Sequence, residues 1–395
     1  MSPIIRARDP AFVADPYPLY DELRATGRVV PDPGGGRVLV AHHADVLAVL
    51  RDRRSGRIDP EAGPPPASQE PFWRLVRAGM LDLDPPHHTR LRRLVAGAFT
   101  PRAVRSLEPV VRAEAERRVA RVAGAGTFDL VAEVAEPLPV AVIGELLGIP
   151  PTDRGLLRPW SAAMTRMFEL EPTEADVRGA VEAARDFSGY VRGLLRERRR
   201  RPGRDLLTAL AGSARRGRLT EDEAVGTAVL LLNAGHEATV NATSLGWWTL
   251  FRHPDQLARL RAEPRLVDRA IEELLRYDTP LQYFERFALT EVELAGVTLP
   301  RGTRLGLLFG SANRDPAAFP EPDRLDLARQ PNPHLGFGAG IHACLGAPLA
   351  RLELRISFQV ILRDLPPLEP VGDPAWKPGY VIRGLRELRV SPAGR

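Results

Sequence analysis

Across 395 residues the chain has one cysteine, Cys344, and one lysine, Lys377. A lone cysteine excludes an intrachain disulfide framework and a multi-cysteine zinc site, and it fits a reducing, cytoplasmic setting. No run of 18 apolar residues occurs, and the opening MSPIIRARDPAF holds no apolar stretch of signal or anchor length, so no membrane attachment is expected. Basic charge is almost all arginine, with a formal net charge of +5. The run Arg196 to Arg201 lacks interleaved aromatics and precedes Pro202-Gly203. It reads as a solvated helix end rather than a nucleic-acid surface. Length alone allows two or three domains, but no boundary is marked, and 44% hydrophobic content can fill one core. A single domain over residues 1–395 is expected.

What is present centres on His334 to Arg351, HLGFGAGIHACLGAPLAR. Small residues surround Cys344, and a helical pattern of Ala347, Leu349, Ala350, Leu352 and Leu354 follows it. The thiol therefore lies ahead of a helix N-terminus, where the dipole and free backbone N–H groups favour a thiolate. Gly338, Gly340 and Gly346 can take backbone conformations closed to other residues and let a bulky group approach. A lone cysteine is most often a small buried hydrophobe. A buried thiolate with donors at its sulfur is also what an electron-rich iron ligand needs.

The stretch Phe337 to Gly346 resembles the heme-binding loop of the cytochrome P-450 family at every characteristic position. The resemblance implies Cys344 as proximal ligand to the iron of heme b. It also implies Phe337 beside the sulfur, Gly338 and Gly346 against the cofactor, and His342 near a propionate. It extends over residues 15–390 and implies a mainly α fold with small β-sheets. The heme would lie between a long central helix and the cysteine loop.

That central helix is legible without the resemblance. Thr220-Glu221-Asp222-Glu223 is a capping box, and the helical pattern runs to about Phe251, where His253-Pro254 stops it. Its apolar middle is interrupted at Ala234-Gly235-His236-Glu237-Ala238-Thr239. An acid inside a buried helix is costly without a purpose. The segment is similar to the family's oxygen-binding motif, which implies Ala234 and Gly235 against the heme and Glu237 as the acid of a proton relay. The alcohol expected after the acid is Ala238, a departure, and Thr239 lies about 100° further round the helix. A structural carboxylate paired with an arginine is the competing reading of Glu237.

Other positions carry the resemblance further. DPPHHTRLRRLVAGAFTPR is similar to the family's third helix, which implies His88 and Arg92 as propionate ligands; Arg286 matches a third. Glu273 and Arg276 stand one helical turn apart. They match the family's ExxR pair, with Arg324 as third member of a structural clamp. Residues 55–80 read as a long loop over the substrate, with Phe72, Trp73 and Met80 near its end. Met167, Leu281, Gln282, Tyr283 and Ile382 are further candidates for the substrate wall, Ile382 on the tip of a final hairpin over 380–390.

The reading is a heme-thiolate monooxygenase that inserts one atom of O₂ into a small organic substrate, of polyketide or macrolide type. No flavin or iron–sulfur motif is present, so a ferredoxin fed by an NAD(P)H-dependent reductase is the expected electron donor. Arg90, Arg93, Arg102, Arg112, Arg351 and Arg355 are candidates for its docking face. The protein is expected to be a monomer with no nucleic-acid partner. Three rivals stay open: a peroxide-driven heme-thiolate enzyme, a heme sensor without turnover, and a heme-free hydrolase with Cys344 as nucleophile.

Overall fold

The computed structural model describes residues 3–394. The architecture is mainly α with small sheets, built round the central helix Glu221–Phe251. Thr220 caps it as expected: its hydroxyl accepts from the Glu223 amide, and Glu223 answers the Thr220 amide. At about 1.5 Å per residue the helix crosses some 45 Å. Helices Glu70–Arg77, Pro137–Leu147, Arg154–Arg166, Glu174–Arg200, Val267–Tyr277 and Ala347–Asp364 pack round it. Such enclosure explains why it is apolar on nearly every face rather than along one stripe. Among the described residues no helix is long and apolar enough to cross a membrane.

The largest sheet has five strands in the order Val30–Asp32, Arg37–Val40, Arg304–Leu308, Tyr283–Ala288, Ser55–Gly56. Val38 pairs with Leu305 in parallel, and Arg286 pairs with the same Leu305 antiparallel. Two strands thereby fix the position of Arg286.

Two elements differ from the expectation, and a third is shaped by a proline. The stretch 55–80 is not all loop: Glu70–Arg77 is a helix, with Pro71 in its first turn and Phe72 and Leu75 buried on one face. Residues 101–122 form two helices, Pro101–Ser106 and Glu108–Val122. Pro109 has no N–H for the Arg105 carbonyl, so the ladder restarts there. The last hairpin begins earlier, pairing Ala375–Trp376 with Leu385–Glu387, and its tip is 377–384.

Candidate functional site

The central helix has one break in its burial. Ala234 and Ala238 are exposed, while Leu232, His236, Glu237, Thr239 and Val240 are buried. Positions i and i+4 share a helix face, so this face looks onto open space inside the fold. Of Glu237, Ala238 and Thr239, only Ala238 lies on it.

Cys344 is likewise exposed, although surrounding atoms push its thiol up; the Gly346 amide, Arg92 and the Ala347 amide pull the other way. Both statements hold when sulfur faces a recess rather than the outer surface. The expected donors are present, but burial outweighs them, so a charged sulfur needs a cation beside it. Gly338 has φ +65° and Gly340 φ +69°. A Cβ on Gly340 would stand 2.0 Å from the Leu50 carbonyl, whereas one on Gly338 would meet nothing within 4 Å. Gly346 has an ordinary φ of −81°. A Cβ there would touch only the Cys344 sulfur, at 4.0 Å. Open space thus flanks the cysteine.

Beside it lie two arginines, Arg92 and Arg286, and two histidines, His88 and His342, none of them bonded to a carboxylate. The rings of His88 and His342 are 4.2 Å apart, and neither nitrogen of His88 nor Nε2 of His342 has a partner. Arg286 is buried, and its one hydrogen bond runs to the Glu285 carbonyl, at 2.9 Å. Arg92 donates to the Ala343 carbonyl at 2.7 Å. Burial, then Arg57, pushes Arg286 down to about 9. Burial, then Arg286, pushes His342 down to about 2. A buried guanidinium left unpaired is costly. Heme b carries two propionate carboxylates, which this cluster fits.

The clamp behind the cysteine loop is complete. Glu273 takes Arg276 Nε at 2.7 Å and Nη2 at 2.8 Å, and also Arg329 Nε at 3.0 Å and Asn332 at 3.1 Å. Arg276 Nη1 reaches the carbonyls of Asn313 and Pro322. The expected third member, Arg324, lies outside: its side chain is exposed and pairs with Glu321. Its backbone carbonyl alone serves the clamp, and Arg329 holds the expected place. Asn313 Oδ1 accepts from the Leu335 amide at 2.7 Å, tying the clamp to the loop that leads to Cys344. Glu272 adds a second tie, accepting from Arg351 at 2.6 Å and lying 3.0 Å from His334 Nε2. The Arg351 guanidinium stacks 4.3 Å over Phe337.

The wall candidates divide. Phe72 packs on Trp73 and Phe168, and Met80 and Met167 are buried. Leu281 bridges to Ile382. Gln282 does not offer a polar contact: its oxygen accepts from Tyr20 at 2.9 Å and its nitrogen donates to the Thr279 carbonyl at 2.7 Å. Tyr283 is also turned away, between Arg37 and Glu285.

Glu237 is paired, though not with an arginine. Lys377 Nζ donates to it at 2.8 Å and to Asn241 Oδ1 at 2.9 Å. Burial opposes charge on Glu237, but Lys377 and His236 outweigh it and hold the carboxyl below its ordinary range. Lys377 was visible in the sequence only as the lone lysine. Of the proposed docking arginines, Arg90 pairs with Glu223, Arg112 and Arg355 with Glu108, and Arg351 with Glu272. Arg93 and Arg102 have no acidic partner among the described residues.

A family model described as Cytochrome P450 matches residues 170–373. The cytochrome P450 monooxygenase PikC of Streptomyces venezuelae is 41% identical, with 96% of this chain and 91% of that one covered. The mycinamicin IV hydroxylase/epoxidase of Micromonospora griseorubida is 40% identical, with 94% of each chain covered. A solved structure of P450BioI in complex with a hexadec-9Z-enoic acid ligated acyl carrier protein has a TM-score of 0.93 at 35% identity. It covers 96% of this chain and 98% of that one.

Proposed function

Since this chain belongs to the cytochrome P450 family, and is a monooxygenase with heme b as cofactor and O₂ as co-substrate, we propose that it hydroxylates or epoxidises an oxygenated secondary metabolite of polyketide or macrolide type. The observation that carries this is Ala238: the exposed face of the central helix has no hydroxyl where the family motif has one. A substrate bearing its own hydroxyl, or a water, would fill that place. The similarity to a mycinamicin IV hydroxylase/epoxidase supports the same class.

The site residues take roles under this reading. Cys344 would hold the iron, and His88, Arg92, Arg286 and His342 would receive the propionates. The bound heme supplies O₂ binding and O–O cleavage, which a thiolate ligand favours. The Gly346 and Ala347 amides and the Arg92 charge stabilise negative charge on the sulfur. Ala234 and Ala238 keep the opposite wall low. Glu237 holds a negative charge on Oε2 against Lys377, one residue from the open face, where it can accept a proton from solvent and return it through water. Electrons come from a ferredoxin and its reductase. With four of six candidate arginines already paired, Arg93 and Arg102 are the charges left for docking. A cytoplasmic monomer fits the lone thiol.

The test is product formed per NADPH in wild type and Ala238→Thr, with a substrate found by the spin-state shift of the heme. The added hydroxyl should change both that ratio and the peroxide released. Unchanged values sink the role given to the missing hydroxyl. Turnover with hydrogen peroxide and no reductase would favour the peroxide-driven rival.

A further inference from the structure

Helix Arg154–Arg166 packs on the central helix, and the strip between them is polar. Thr165 donates to Asn233 Oδ1 at 3.3 Å. One turn back, Ser161 is fully buried and its hydroxyl has no partner. A further turn back, Arg158 pairs with Glu136 at 2.5 Å, and its charge is felt at both His236 and Glu237. Positions three and four apart share a helix face. The strip therefore runs from Thr165 through Ser161 to Arg158 on one helix, and from Asn233 to His236 and Glu237 on the other. His236 is 1% exposed, and neither of its nitrogens has a partner. It stands about 200° round the helix from Ala234, so the strip lies behind the open face.

Two further elements close it. Val131–Ala135 is a π-helical turn packed on the central helix, and it delivers Glu136. Such turns are rare and recur at functional sites. Burial raises the Glu136 carboxyl above its ordinary range, against the pull of Arg158 and Lys377. Lys377 bonds Glu237 and Asn241, and Asn241 Nδ2 is another buried atom without a partner. Buried polar atoms are nearly always bonded, to protein or to ordered water. Four in one strip are what a short file of water satisfies. Arg158 keeps 63% of its side chain exposed, so the outer end meets solvent. Burial pushes His236 down to about 4. At neutral pH its ring is uncharged, with one nitrogen to donate and one to accept.

We propose that water fills this strip and that His236 relays protons along it, from solvent at Arg158 and Glu136 to the carboxylate of Glu237. His236 acts through Glu237 and touches neither substrate nor cofactor. The step is proton transfer alone. A hydrated proton binds one imidazole nitrogen while the other gives its proton to the next water, which protonates Glu237. The inference rests on the role given above to Glu237 and adds the route that supplies it.

Two measurements on the holoprotein test it. A high-resolution crystal structure should show water bonded to His236 and to Ser161, and a strip in which neither meets water overturns the proposal. The second is the rate of NADPH consumption in H₂O and D₂O, with product formed per NADPH. A direct acid–base group is worth about 10²–10⁴-fold. Loss of a relay that feeds one should cost less, about tenfold in product per NADPH for His236→Leu, with a larger solvent isotope effect. Ser161→Ala keeps the ring, removes one anchor of the water, and should show the same change in smaller measure. It decides the matter if His236→Leu does not fold. The substrate's spin-state titration should stay as in wild type, which a merely structural lesion would not allow. An unchanged isotope effect and product ratio in both variants overturn the relay. Glu237→Gln checks the reading beneath: unchanged values there overturn the role of Glu237, whatever the strip contains.

Discussion

Arg276 and Arg286 are buried to almost the same depth, with 0% and 2% of their surface exposed, yet their surroundings are opposite. Arg276 faces a carboxylate with two parallel bonds and reaches two carbonyls with a third nitrogen. Arg286 has one bond, to the carbonyl of its own neighbour. A buried ion is tolerated when it is matched. Arg276 is matched by the protein, and Arg286 is not, which is what a group that receives an anionic ligand requires under the reading proposed above.

The largest effect should follow loss of the first. Arg276→Leu breaks this buried pair and leaves Glu273 only Arg329 and Asn332, at a cost of about 3–5 kcal/mol. Little folded heme protein should be recovered. Arg286→Leu should leave the denaturation midpoint of the apoprotein unchanged or higher while the heme is lost faster to an acceptor globin. Equal destabilisation of the apoprotein by both variants would break the comparison.

The second test stays inside the clamp. Arg329→Ala removes a charged bond to Glu273 and should cost about 1.5–3 kcal/mol. Arg324→Ala removes an exposed side chain and should stay within about 0.5 kcal/mol. Denaturant midpoints decide it, and the reverse order would restore Arg324 to the place given it in the sequence.

The smallest effect concerns His88. Burial, then Arg92, depresses its imidazole below 6.5. Below that pH the unfolded chain binds a proton the folded apoprotein refuses, so stability falls as pH drops through about 6.5. The slope is at most about 1.4 kcal/mol per pH unit. Two carboxylates beside the ring would raise its pKa, so the holoprotein should show a flatter slope. Midpoints between about pH 7 and 5 for apoprotein, holoprotein and His88→Phe test this; an equal slope in all three would count against the unmatched cluster.

What could be read from sequence was local. The cap at Thr220, the length of the central helix, the glycines round Cys344 and the turn shared by Glu273 and Arg276 all follow from spacing. Arg324 and Arg329 lie in one short run, and only the path of the chain behind Glu273 decides which guanidinium arrives. Gln282 looked free because Tyr20, which occupies its oxygen, stands 262 residues away. The Lys377–Glu237 pair and the strip between Ser161 and His236 each join segments with no common pattern. Helix Glu70–Arg77 was hidden by the prolines before it.

The pairing of Lys377 with Glu237 has a practical side. No other ε-amine exists in 395 residues, and this one keeps 28% of its side chain exposed. Reductive methylation with isotope-labelled formaldehyde would therefore plant one side-chain reporter, beside the acid on the central helix, with the α-amine as the one other group labelled.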